Sequence, residues 1–183
     1  MKQLLTTVAG LLLCGAAQAC TCAWPLQPFQ AALQREPLLL EGTVVQAKNP
    51  DASLPTVVLK VLRPFKGSAP SEVHLVSSMC AKTVWPGDMK VGQTYIVSLA
   101  PDTDLPSSIE RLLAQQEKRA PKSLYVLPSC AESALLREGD ELFTFALPET
   151  RGQQPEKRFY AKYPDFVRRH STPPPSPARA AAR

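Results

Sequence analysis

Two cysteines one residue apart, Cys20-Thr21-Cys22, follow the small-residue stretch 15–19. Ala17 and Ala19 occupy the minus-three and minus-one positions of an A-x-A cleavage site, so processing after Ala19 would make Cys20 the first residue of the mature chain. The chemistry on offer is a new amino terminus that a disulfide can pin in place. A Cys-x-Cys pair can also hold copper or exchange disulfides, but no cluster of histidine ligands accompanies this one. His74 and His170 stand apart, in an expected strand and in the expected tail, and both read as surface residues.

The preceding residues have the layout of a secretory signal. Lys2 supplies positive charge, and an apolar run from Leu4 to Leu13 follows, too short for a membrane anchor. A cysteine after a small residue is also where a bacterial lipoprotein is acylated, but that signal prefers a large aliphatic residue where this chain has Ala17. Parity points the same way. Cys14 leaves with the signal, and Cys20, Cys22, Cys80 and Cys130 remain, an even set that lipidation of Cys20 would break. Soluble export, to a periplasm or the medium, is therefore favoured over a lipid anchor.

Four cysteines allow three pairings, and spacing alone does not choose among them. A Cys20–Cys22 bond would close a cramped ring, so each is expected to reach a distant partner. Loops of about 60 and about 108 residues would each contribute about 4–5 kcal/mol on the chain-entropy model. Such bridges would also hold down a terminus that otherwise frays.

Cleavage of 19 residues from 183 leaves 164, enough for one domain with a core, and loss of Lys2 lowers the net charge from +5 to +4. No patch interleaves aromatic residues with arginines, which argues against nucleic-acid binding. Beyond Leu13 no apolar run approaches membrane length. The chain holds no HExxH, GxSxG, P-loop or CxxC motif, so a non-enzyme without a cofactor is expected.

The elements that must position the cysteines can be taken in order. Trp24-Pro25 and Gln27-Pro28 force an extended entry. A short helix is expected over 29–35, ended by Pro37, then a strand over 38–47 with a bulge at Gly42. Asn49-Pro50-Asp51 is turn chemistry, and a second strand covers 56–61. Phe65-Lys66-Gly67 turns the chain toward a third strand over 72–77. A fourth is expected over 94–100, and Trp85 in its Pro-Gly loop reads as a lid on one barrel end. An insertion over 101–122 carries helical spacing at Ile109, Leu112 and Leu113. A fifth strand covers 123–127. Next, 131–137 reads as helix stopped by Gly139, 142–147 as strand, and 159–169 as a docking helix that Pro164 interrupts. The proline-, alanine- and arginine-rich stretch 171–183 reads as a disordered tail. Five short strands without a βαβ rhythm point to an all-β fold with small helical additions, a five-stranded closed barrel.

A signal followed by Cys-Thr-Cys resembles the amino terminus of the tissue inhibitors of metalloproteinases, within the wider netrin-like group. Leu38–Ala47 resembles the strand that opens their barrel, Phe65-Lys66-Gly67 the Lys-Gly turn after the second strand, and Cys80 followed by Gly92-Gln93-Thr94-Tyr95-Ile96-Val97 the family's cysteine and next strand. The similarity runs from Cys20 to Cys130. The family's third cysteine pair and its cysteine-rich carboxy-terminal module have no counterpart here.

The resemblance implies an OB-like barrel and the disulfides Cys20–Cys80 and Cys22–Cys130. It also implies inhibition of a zinc metalloprotease. The free amine and carbonyl oxygen of Cys20 would chelate the target's catalytic zinc, and Thr21 would enter its specificity pocket. Cys22 and Ala23 would lie along the cleft, with Ser78 and Met79 beside the terminus. Zinc would belong to the target alone. The chemistry is sound: a catalytic zinc keeps an open position, an α-amino group titrates near 7.7–8.0, and the metal drives off its proton. The expected organisation is a signal over 1–19, a netrin-like domain over 20–138, an extension packed on the barrel over 139–170, and the tail. The alternative is an exported module that binds another exported or surface protein through its loops and does not inhibit.

Overall fold

The computed structural model describes residues 28–48, 56–77, 88–101, 124–127, 132–146 and 156–171. Helix α1 (Phe29–Arg35) leads into strands β1 (Leu38–Lys48), β2 (Thr56–Lys66), β3 (Glu72–Ser77), β4 (Thr94–Pro101) and β5 (Leu124–Leu127). Strands β6 (Ala134–Glu138), β7 (Glu141–Ala146) and β8 (Glu156–Lys162) and helix α2 (Tyr163–His170) follow.

The first five strands close on themselves in the order β1-β2-β3-β5-β4-β1. All pairs are antiparallel except β3 and β5, which run parallel with Ser77 beside Leu127. This is an OB-like five-stranded barrel. Strand β1 serves both sides, pairing with β2 along 39–48 and with β4 along 38–43. It bends to do so, and the register slips between Glu41 and Gly42, where the bulge was expected. A side chain at Gly42 would meet the Lys60 carbonyl at 3.0 Å and Leu59 Cβ at 3.1 Å, so glycine lets β2 approach at the bend.

Strands β6, β7 and β8 form an antiparallel wing. β6 pairs with Thr94–Val97 of β4, while β5 pairs only with Ala100 and Pro101 on the same edge. The wing gives the sheet two buried faces. Inside the barrel, Leu40, Leu59, Leu75, Val97, Leu99 and Leu136 form one core. Outside it, Leu39, Phe65, Ile96, Leu135 and Leu142 form a second with Phe29 and Leu33 of α1 and Phe166 of α2.

Three expectations fail here. The segment 131–137, read as helix, instead forms β6 from Ala134. Its Ala, Leu and Arg favour helix locally, yet Ala134 and Leu136 face the barrel while Leu135 faces the second core. With both faces covered the polar alternation of a strand vanishes, and tertiary packing overrides propensity. Gly139, read as a helix stop, sits at φ +57° in the tight turn between β6 and β7. The segment 159–169 is likewise split: residues through Lys162 are strand, and the helix starts at Tyr163. Pro164 falls in the first helical turn, where its missing N–H does no harm. Strand β2 also runs on through Lys66, so the turn after it begins at Gly67.

Candidate functional site

The residues singled out for chemistry, Cys20, Thr21, Cys22, Ala23, Ser78, Met79, Cys80 and Cys130, lie outside the described residues, as do Trp85 and the insertion helix. What the structure shows are the supports on which those positions are strung. Ser77 and Leu127 end β3 and β5 side by side. Cys80 follows the first by three residues and Cys130 follows the second by three. The chain leading from Cys22 joins the described part at Pro28, next to Phe29, whose backbone N–H donates to Glu132 Oε2 at 3.3 Å. Glu132 is two residues past Cys130.

Helix α1 is anchored firmly for its seven residues. Phe29 is fully buried, with the Tyr160 ring edge-on at 5.7 Å and the Phe166 ring at 6.5 Å. Ser98 Oγ on β4 donates to the Ala32 carbonyl at 3.2 Å. At the other end the Lys66 ammonium donates to the carbonyls of Leu33 (3.2 Å), Gln34 (3.4 Å) and Glu36 (2.5 Å). A cation on the last carbonyls of a helix satisfies groups that have no partner inside it.

A second cluster was not visible in the sequence. Glu41, on the bent part of β1, is only 2% exposed. Arg137 Nη1 of β6 donates to its Oε1 at 2.6 Å, and the Tyr163 hydroxyl of α2 donates to its Oε2 at 2.7 Å. The Arg137 guanidinium also stacks on the Tyr163 ring, 3.6 Å from its centre. Burial pushes the Tyr163 phenol above its usual range, and the hydrogen bond to Glu41 and that carboxylate's charge push the same way, against Arg137 and Arg63. Barrel, wing and α2 thus meet on one carboxylate. Its partners lie 96 and 122 residues away, beyond any local pattern.

The two histidines are less ordinary than expected. His74 lies in β3 as read, but its Nδ1 is buried and has no hydrogen-bond partner among the described residues. His170, expected in the tail, is instead the last residue of α2, tilted against the Phe166 ring at 4.4 Å, and burial lowers its pKa. Tyr95 in the barrel core donates to Gln93 Oε1 at 2.7 Å, and burial pushes its pKa up to about 12. Among the described residues no group of three or more His, Cys, Asp or Glu is placed to hold a metal ion, and no helix is long and apolar enough to cross a membrane. On the wing, Phe159 is more than half exposed and lies edge-on to Phe143 at 6.3 Å, with Lys157 over the Phe143 ring.

No protein-family model matches the chain, and no curated protein matches it. Among the described residues, the class that the strand order defines is an OB-like barrel carrying a three-stranded wing and two short helices.

Proposed function

We propose that the chain is an exported inhibitor of zinc endopeptidases, acting through the free amine and carbonyl oxygen of Cys20 after removal of residues 1–19. The observation that carries it is the convergence at one barrel end. The paired ends Ser77 and Leu127 are parallel neighbours, about 5 Å apart, and three residues extend at most about 10 Å, which is the reach the proposal allows Cys80 and Cys130 from those ends. The Phe29–Glu132 hydrogen bond ties the root of the amino-terminal segment to the residues just after Cys130. Bridges from Cys20 and Cys22 to those two cysteines would need Cα separations of about 4.4–6.8 Å. A terminus held in this way would lose little freedom on meeting a target's zinc, which keeps affinity high. Thr21 would then fill the target's specificity pocket, with Cys22, Ala23, Ser78 and Met79 alongside.

The test is a mature protein with one alanine added before Cys20. The native form inhibits at least one of a panel of zinc endopeptidases and the extended form does not, because the amine is displaced from the metal. Native protein with an unblocked terminus and full oxidation that leaves the whole panel active would end the proposal. The exposed Phe159 and its Phe143 neighbour favour a second reading, binding of another exported protein through the wing. Such binding would be insensitive to the added alanine and lost on Phe159→Ser.

A further inference from the structure

We infer that the carboxy-terminal helix α2 is a clamp on α1 that sets where the amino-terminal segment leaves the barrel, with Phe166 as its positioning residue. The positioning role rests on the inhibitory function proposed above, whereas the coupling between the two ends of the chain stands without it.

A seven-residue helix is too short to be stable alone, so the direction of α1 is decided by what packs on it. Its first residue, Phe29, meets Tyr160 of β8 and Phe166 of α2, and the Tyr160 hydroxyl donates to Gln30 Oε1 at 3.3 Å. Phe166 is itself fully buried and spans the gap to the barrel wall, edge-on to Phe65 of β2 at 5.5 Å. α2 is held independently at its start, where the Tyr163 N–H donates to the Asp140 carbonyl at 2.8 Å and its hydroxyl to Glu41. The clamp therefore has a fixed base and a working face. None of Phe29, Tyr160 or Phe166 belongs to the core inside the barrel. Loosening Phe166 should free α1 while leaving that inner core in place. The nine residues from Cys20 to Pro28 would then start from a less defined root.

The experiment compares the oxidised mature protein with Phe166→Ala and Phe166→Leu. Amide hydrogen exchange is read at Phe29 and at Leu75 of the inner core, and the inhibition constant is measured against a zinc endopeptidase that the native form inhibits. Phe29 should exchange about tenfold faster or more in Phe166→Ala with Leu75 unchanged, as local opening without global unfolding requires. Inhibition should weaken by about tenfold as the root loses its preorganisation, with Phe166→Leu between the two. Unchanged exchange at Phe29 overturns the coupling. Faster exchange with an unchanged inhibition constant overturns the positioning role and leaves a purely structural contact. If the native protein inhibits nothing, the proposed function has failed and the exchange data alone decide the coupling. Should Phe166→Ala not fold, Phe166→Leu alone gives the same comparison on the same contact.

Discussion

Replacing Glu41 with alanine removes the group on which three elements meet. The carboxylate is almost wholly buried, whereas the Arg137 side chain is 30% exposed. Breaking a fully buried pair costs about 3–5 kcal/mol, but water can reach the abandoned guanidinium, which lowers the expectation to about 2–3 kcal/mol. The Tyr163 hydroxyl also loses its acceptor, and Tyr163→Phe alone should cost about 1 kcal/mol. Urea unfolding of the oxidised mature protein measures these terms in a cycle of Glu41→Ala, Arg137→Ala and the double variant. The expected coupling energy is about 0.5–3 kcal/mol, the range for residues in direct contact. A thermal melt should show Glu41→Ala lowered by roughly 4–12 °C at about 2–4 °C per kcal/mol. A loss below about 0.5 kcal/mol, the range of surface substitutions, would refute the reasoning, as would single effects that simply add.

Other outcomes follow from the same geometry. Tyr95, Tyr160 and Tyr163 all have phenols raised by burial, so the native state keeps these protons longer than the unfolded chain. Their contribution to stability is complete below about pH 10 and is lost as pH rises through the folded values, and Tyr95→Phe should remove the absorbance step near pH 12. His170 has a lowered pKa, so its contribution is present above about pH 6.5 and lost as pH falls through the folded value, and His170→Gln should flatten that part of the stability profile. Lys66→Met strips three carbonyls of their cap and, at an exposed position, should cost about 1 kcal/mol in a urea titration. Gly42→Ala should cost about 1–3 kcal/mol, because the added methyl meets the Lys60 carbonyl at 3.0 Å.

The barrel was largely legible in the sequence because its punctuation is local. α1 has the bounds that Phe29, Arg35 and Pro37 suggest, and β3 has those set by its alternation of Val73 and Leu75. β4 and β5 were found within a residue. Of the wing, β7 was found within a residue, but β6 and β8 were not legible, since β6 is buried on both faces and composed of helix formers, and β8 passes into α2 without a glycine between them. For the candidate site, spacing exposed the cysteines but could not show that parallel pairing sets Ser77 and Leu127 side by side. The meeting of Glu41, Arg137 and Tyr163 depends on the finished fold and has no signature shorter than the chain itself.

The divided edge of β4 has a consequence for solubility. A closed barrel offers no open rim for a stray strand, but giving Thr94–Val97 to β6 moves the outer margin of the sheet, among the described residues, out to β8. That margin is studded with Glu156, Lys157, Arg158 and Lys162, and a slip in register beside Phe143 breaks its regularity. Charges and an irregular backbone are the means by which natural sheets discourage fibril-like stacking. Neutralising the two lysines should therefore reveal the hazard as concentration-dependent association, long before the fold itself is harmed.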